Sequence, residues 1–414
     1  MLLVIAQLGA IPVFDIGSRE APIFVNDLLV LAVLAVGGIA MAHARSLRLN
    51  DVALAALMFV AIGALSALAA IPRFGLTALE VAASLAYLGR WVVYFGIYLV
   101  VINCVRERDI KPLWQALEIT MLVFAAFGVL QSAFLPNFGQ MVRPDAKIYL
   151  EIDPQGHRLM STMLEPNIAA AMIFLVLLVQ LAQLAYGAEL PRWKPALLFV
   201  ALVLTLSRSG ALGFMFGMLV ILAARGLGTK MVRFLAAMFV VALAALPQLL
   251  KFANMYEKLG ISDVSAMSRV IGWQRAIATF LESPWIGVGF NTYGFVQQRR
   301  GMELFGSASY SAEGGLLFIA VMTGIVGLFV YGTMLYFVVR KCRSVWRDPI
   351  ATPEERGLAL GAAAATVGVC VHSAFVNSIL TPFVMEPLWL AWGLTFVAAT
   401  AIRRRRALAL PMPA

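Results

Sequence analysis

The sequence predicts an all-α integral membrane protein, a polytopic bundle of about twelve transmembrane helices. Of its 414 residues, 62% are hydrophobic and only 13% are charged, which excludes an ordinary soluble globular domain. Continuous apolar runs approach or exceed the roughly 20 residues that a helix needs to cross the hydrocarbon core. They include Ile23–Ala42, Val52–Ile71, Leu113–Leu135 and Ile168–Tyr186. A transmembrane barrel would show short alternating segments instead.

The positions of the basic residues predict the orientation of this bundle. The 32 Lys and Arg residues give a formal charge of +10, but they fall in clusters between apolar runs, so we interpret the excess as a topology signal and expect no nucleic acid as a partner. The cytoplasmic set is Arg45, Arg48, Arg106, Arg108, Lys111, Arg192, Lys194, Arg225, Lys230, Arg233, Arg340, Lys341, Arg343, Arg347, Arg356 and Arg403 to Arg406. The positive-inside rule then places both termini in the cytoplasm.

The first apolar run and the cysteines add little chemistry. Met1–Phe14 lacks a basic n-region and a small-residue cleavage site, so we interpret it as a first helix and not as a removed signal peptide. The three cysteines, Cys104, Cys342 and Cys370, lie near the cytoplasm or inside a helix. They cannot form a disulfide framework in outer loops, and we expect them to be structural.

Two long loops on the non-cytoplasmic side carry the expected site. They are residues 136–160 and 251–313, whereas elsewhere the spans nearly touch, and residues 1–414 form a single transmembrane domain without an internal repeat. Long loops in compact proteins are usually functional or disordered. The second loop contains the amphipathic stretch Ser268–Leu281, ended by Pro284, which predicts a short surface helix and an ordered loop.

Arginines gather on this outer side. Arg158, Arg208, Arg269 and Arg275 fall in outer segments, and Arg90 is predicted one or two turns below the surface, inside a span. An arginine in hydrocarbon is costly and marks a pathway or a paired site. Guanidinium groups offer planar, bidentate donors to phosphate, so the group suits a lipid-linked diphosphate. Each single arginine has the alternative of binding a lipid headgroup or a local carboxylate.

Four segments hold the candidate residues. The first runs from His157 to Asn167, where Ser, Thr and Asn are also suited to cap the next helix and Pro166 to start it. The second is Leu204–Gly210. The third is Ser268–Arg275, followed by Ser283–Asn291. The fourth is Glu313–Leu317, followed by Thr323–Gly327.

In this order and spacing, the four segments resemble the bacterial O-antigen ligase and O-antigen polymerase superfamily, over roughly Arg158 to Trp392. Its members are similar to GT-C-like membrane glycosyltransferases that transfer undecaprenyl-diphosphate-linked glycans in the periplasm. The resemblance implies that Arg208 and Arg269 hold the donor diphosphate, with Arg158 and Arg275 as weaker matches. We add Arg90 and Asn167 as substrate-binding candidates.

One position departs from the ligase pattern. Where O-antigen ligases have a histidine that activates the acceptor, eleven residues before the first glycine of the Gly324–Gly327 pair, this chain has Glu313. A carboxylate there is suited to serve as general base or to orient the acceptor hydroxyl; the alternative is a pair with a loop arginine. His372 is a further substrate-binding candidate, with a hydrogen-bonded structural histidine as the alternative.

Together with these observations, the resemblance implies a periplasmic-side, inverting and metal-independent glycosyltransferase of the bacterial inner membrane that polymerises O-antigen or exopolysaccharide repeat units. The alternatives are an O-antigen ligase that transfers glycan to lipid A core and a lipid-linked glycan transporter or flippase. No metal-ligand spacing, Walker loop or Gly-x-Ser-x-Gly elbow occurs, so we expect no metal and no cofactor. The expected partners are the undecaprenyl-diphosphate-linked oligosaccharide donor, a glycan acceptor, the lipid bilayer, and chain-length regulator and flippase proteins.

Overall fold

The computed structural model describes residues 12–14, 23–44, 47–142, 156–226, 228–229, 233, 264–301 and 314–409. The strands within these ranges form one short antiparallel pair, β1 (Pro12–Phe14) and β2 (Ile23–Phe24). The helices are α1 (Val25–Ala44), α2 (Asp51–Phe74), α3 (Ala78–Cys104), α4 (Ile110–Phe134), α5 (Phe138–Val142), α6 (Pro166–Ala185), α7 (Trp193–Leu204), α8 (Arg208–Ala224), α9 (Val264–Glu282), α10 (Tyr293–Arg299), α11 (Gly315–Trp346), α12 (Pro353–His372) and α13 (Pro382–Ala409).

Seven helices in the described ranges are long and apolar enough to cross a membrane, namely α1 to α4, α6, α11 and α13. The helices α7 and α8 are apolar but shorter. The predicted polytopic helical fold is therefore confirmed. The helix prediction for Met1–Phe14 is wrong for Pro12–Phe14, which form β1; proline has no N–H for a helical hydrogen bond and the β-branched Val13 favours a strand. The rest of that run lies outside the described residues.

The helix α6 occupies the centre of the bundle and is buried on nearly all its faces. Its neighbour α12 is rich in alanine and glycine, and it approaches so closely that a Cβ atom on Gly361 would overlap the Cα atom of Val179. Small residues allow this approach between helices in a membrane. They also explain why α12, although buried, is less apolar than the lipid-facing helices.

The helix α11 is interrupted at Gly324, where φ is 67° and ψ is −172°. The segment Ser283–Asn291, which we call the strap, lies against this break. The N–H of Ile325 donates to the Pro284 carbonyl at 2.7 Å, and the N–H of Val288 donates to the Val321 carbonyl at 2.9 Å. A broken helix at membrane depth needs such partners for its backbone groups. The strap supplies them.

The bundle has two chemically different ends. The basic end comprises residues 47–50, 103–111, 186–194, 225–226, 340–356 and 403–409, and is joined by contacts such as Arg406 with Asp348 at 2.6 Å. The motif end comprises residues 73–80, 131–142, 156–167, 204–210, 283–301, 314–315 and 372–382. Its contacts include Arg73 with Ser283 at 2.6 Å and Gly315 with Ser373. The described parts of the four sequence segments thus begin or end at the motif end, except Ser268–Arg275 and Thr323–Gly327.

Candidate functional site

The sharp turn between α7 and α8 organises the polar groups of the motif end. Ser207 caps α8, because its hydroxyl accepts a hydrogen bond from the Gly210 N–H at 3.1 Å. The same hydroxyl donates to the Asn167 Oδ1 at 2.8 Å. Arg208 is the first residue of α8 and its side chain is exposed. The turn therefore places Arg208 at the surface and ties it to the start of α6.

Arg158 reaches the same turn from the preceding loop. Its Nε donates to the Thr205 carbonyl at 2.9 Å. The loop is fixed in this position because the Leu159 N–H donates to the Leu204 carbonyl at 2.9 Å, and the Gln131 side chain bonds the backbone of Arg158 and Met160. The structure thus brings Arg158, Asn167 and Arg208 to one turn.

Glu165 is a carboxylate at this turn that the sequence reasoning did not single out. Its Oε2 accepts from the Ile168 N–H at 2.8 Å and its Oε1 accepts from the Asn167 amide at 2.9 Å. Burial raises the pKa of this carboxyl above its ordinary value of 4.5, while the Ile168 N–H and the charge of Arg158 oppose the rise. We refer to Arg158, Glu165, Asn167, Ser207 and Arg208 as the turn cluster.

The helix α6 is therefore capped differently from the sequence expectation. Ser, Thr and Asn were the candidate caps, but Glu165 occupies the cap position, because it directly precedes Pro166 at the first helical position. Pro166 starts the helix as predicted. Asn167 is left to join the cap to Ser207.

The helix α9 carries the other two outer arginines. Arg275 is exposed, and its charge, together with that of Arg300, opposes the rise in the pKa of Tyr293 that burial causes. Arg269 lies in α9, but its side chain is outside the described residues. The Trp273 ring lies 6.0 Å from the Phe375 ring, so α9 leans on the turn that follows α12.

The middle of the chain is similar to a known protein family. Residues 196–332 match the model of the O-antigen ligase family. The matched stretch includes most of α7, the turn, α8, α9, the strap and the break in α11, and it supports the predicted superfamily. A comparison with curated proteins gave no match. The O-antigen ligase match supports a membrane enzyme that processes glycans, of the ligase or polymerase type.

The turn after α12 contacts Gly314 and is also bonded to the candidate His372. Glu313 lies outside the described residues, but the next residue, Gly314, packs so that a Cβ atom there would lie 2.9 Å from the Ala374 carbonyl. His372 is buried, and its Nδ1 lies 2.8 Å from the Ser378 hydroxyl. Ser378 also lies 2.8 Å from the Ser373 hydroxyl. His372 therefore holds together the turn on which Gly314 rests.

Arg90 lies deeper than predicted. It is more than three turns into α3, since the helix begins at Ala78, whereas the sequence suggested one or two turns below the surface. Its Nη2 lies 3.0 Å from the Asp27 Oδ2. Burying an arginine at this depth requires a counter-charge, and Asp27 at the start of α1 supplies it. A carboxylate inside an apolar run was the sequence signal for this partner.

Proposed function

We propose that the protein is a glycosyltransferase that acts on undecaprenyl-diphosphate-linked glycans at the non-cytoplasmic face of the inner membrane, and that it polymerises glycan repeat units with inversion. The turn cluster carries this proposal. Two arginines from different loops reach one turn at the motif end, and one of them is exposed at the first residue of a helix. Helix starts and guanidinium groups both favour phosphate.

We build the mechanism on this placement of Arg158 and Arg208, and on Arg269 and Glu313 in the roles considered for them from the sequence. Arg208, with Arg269 on α9, holds the donor diphosphate, and Arg158 stiffens the turn beneath Arg208 through Thr205. A hydroxyl of the acceptor sugar attacks the anomeric carbon as the bond to the diphosphate breaks. Glu313 takes the hydroxyl proton, and the arginines stabilise the charge that develops on the leaving diphosphate. Attack opposite to the leaving group inverts the anomeric centre.

An O-antigen ligase is the second candidate, and the description of the matching family favours it. A ligase shares the donor, the membrane and the arginines, but its acceptor is a core sugar of lipid A. Glu313 stands where the ligase histidine is expected. We prefer the polymerase for this reason.

The test is an assay of the purified full-length protein with undecaprenyl-diphosphate-linked repeat units. We expect a ladder of longer glycans, undiminished by EDTA, and a loss of roughly a hundredfold or more in Arg208→Ala, the scale of removing one charge-stabilising group. Arg404→Ala is the matched control, since Arg404 is exposed at the basic end. Equal activity of Arg208→Ala and wild type contradicts the proposal. Translocation of the lipid into vesicles without any new glycosidic bond indicates a transporter instead.

A further inference from the structure

A cavity of about 190 Å³ lies between α3, the strap, the break in α11 and the turn before α13. Its walls include Tyr87, Arg90 and Trp91 of α3, Asn291 of the strap and Asn377 of the turn. The strap and the turn both belong to the motif end, so the cavity lies on the same side of the bundle as the turn cluster. Its volume is that of roughly six waters, the scale of one sugar ring.

A buried network from three helices fixes the polar wall of this cavity. Arg90 is paired with Asp27, and the Tyr94 hydroxyl donates to the other oxygen of Asp27 at 3.1 Å. The Asn26 amide donates to the Tyr94 hydroxyl at 2.8 Å and to the Glu386 carboxyl at 3.1 Å. A side chain held by such second contacts keeps a defined position for a ligand.

The charge of this network decides the class of ligand. Among the residues that the structure describes, it contains one cation, Arg90, and two carboxyl groups, Asp27 and Glu386. The cavity therefore presents no excess positive charge, and a diphosphate is not favoured there. The turn cluster has two arginines and one carboxyl group, so it is the better place for the diphosphate. The cavity suits a neutral polar group.

Two further observations point to a ligand in the cavity. Trp91 lines it and is 3% exposed, yet its indole N–H has no acceptor among the residues that the structure describes. Burying such a donor costs free energy unless an acceptor forms a hydrogen bond with it. Asn291 is held at a positive φ of 54°, with its carbonyl accepting from the Ser84 hydroxyl at 3.2 Å. Strained, well-anchored residues are common at binding sites.

The walls combine aromatic rings with amide, guanidinium and indole donors. This combination matches a sugar, which has apolar C–H faces and a rim of hydroxyl groups. From these observations we infer that the cavity is a subsite for one sugar ring of the lipid-linked glycan, with Trp91 and Asn291 as hydrogen-bonding partners. The inference rests on the proposed function and assigns different parts of that substrate to different sites.

Binding of two lipids to the purified full-length protein in detergent tests this assignment. One is undecaprenyl diphosphate without sugar, and the other is undecaprenyl-diphosphate-linked repeat unit. Trp91→Phe keeps the ring and removes the N–H. We expect it to weaken binding of the repeat-unit lipid by roughly three- to tenfold, the value of one hydrogen bond, and to leave binding of the sugar-free lipid unchanged.

Two more variants serve as a second test and as a control. Asn291→Gly tolerates the positive φ and should repeat the selective loss if Trp91→Phe does not fold. Trp193→Phe is the matched control, because Trp193 is 60% exposed at the basic end. Equal weakening of both lipids by Trp91→Phe, or no weakening of either, overturns the sugar subsite while the proposed function stands. Failure of the wild type to bind either lipid overturns both proposals.

Discussion

Arg158 and Arg208 meet at one turn but differ in their exposure. Arg158 is half-buried and its Nε is engaged by the Thr205 carbonyl, whereas Arg208 is exposed at the start of α8. A group that contacts an incoming diphosphate must be accessible, and the group beneath it must be fixed. We therefore propose that Arg208 contacts the phosphate and that Arg158 positions the turn.

Replacing Arg208 by lysine separates charge from geometry. Lysine keeps the positive charge but is a point donor, and it cannot make the paired, planar contacts that a guanidinium makes with phosphate. We expect Arg208→Lys to recover less than about a tenth of wild-type polymer formation. The measurement is the initial rate of ladder formation at equal amounts of inserted protein. Full activity in both Arg208→Lys and Arg208→Ala would remove Arg208 from the mechanism.

Glu165 makes the stability of the motif end depend on pH. Its folded-state pKa is raised by burial, so its contribution to stability is fully present below the ordinary value of 4.5 and is lost as pH rises through the folded-state value. Glu165→Gln cannot ionise, and its melting temperature in detergent should vary less with pH over that window. Glu354→Gln is the control, since Glu354 is exposed in the first turn of α12. An unchanged pH profile in Glu165→Gln would show that this carboxyl does not titrate in the window.

The sequence allowed some of these residues to be predicted, and physical reasons explain the others. Arg158, Asn167 and Arg208 flank helix ends, which apolar runs mark clearly. Glu165 could have been predicted, because it directly precedes Pro166 at the start of α6. Trp91 is buried by segments far away in the chain, which a local pattern cannot show. Asp27 and Glu386 could have been predicted from the sequence, because carboxylates inside apolar runs are rare and need a partner.

Among the elements, α11 is broken at Gly324, inside the region that matches the family model, and the strap is hydrogen-bonded to this break. The backbone at Gly324 has a φ and ψ that only glycine adopts readily. A Cβ atom there would overlap the Trp285 carbonyl of the strap. The first glycine of the Gly-x-x-Gly pair is thus required by the docking of the strap, which in turn forms a wall of the cavity.

Gly324→Ala should destabilise the protein. Backbone strain alone costs about 1–3 kcal/mol, and the overlap with the strap adds to it. Gly332→Ala is the matched control on the same helix, because nothing lies near its missing Cβ atom. Thermal unfolding of the two variants in detergent checks this, and an equal melting temperature would mean that the strap does not dock at Gly324.

The sequence allowed α9 to be predicted, but it did not show where a helix is interrupted. The amphipathic stretch Ser268–Leu281 predicted α9, which runs from Val264 to Glu282. The break at Gly324 was not predicted, because the surrounding residues are apolar and continuous and nothing local ends a helix there. The strand β1 was missed because a run of apolar residues near a terminus fits either structure.

Across the whole molecule, the clustered basic residues lie at one end of the bundle and the candidate site lies at the other. Arginines and lysines at the basic end are numerous and several pair with local carboxylates, as Arg406 does with Asp348. The motif end holds the turn cluster, the strap and the cavity. The positive-inside rule predicts that the basic end lies in the cytoplasm, and on this prediction the candidate site faces the other side.

Reporter fusions test this orientation. Alkaline phosphatase is active only outside the cytoplasm, so a fusion after Arg300 at the motif end should be active. A fusion after Arg347 at the basic end should be silent. β-Galactosidase at the same two positions should give the opposite pattern. Inverted results with both reporters would place the candidate site in the cytoplasm and contradict the proposed function.

The last prediction separates polymerase from ligase in the intact cell. The two enzymes share a donor and arginines, but a polymerase joins repeat units to one another, whereas a ligase moves a finished glycan to lipid A core. If the chain is a polymerase, its deletion should leave single repeat units, lipid-linked or on core, and abolish long surface or secreted polysaccharide. Gel analysis of the surface glycans and mass analysis of the lipid-linked pool measure this. Long glycans that accumulate on undecaprenyl diphosphate above a bare core would contradict the polymerase and establish the ligase, with Glu313 or His372 in the place of the missing histidine.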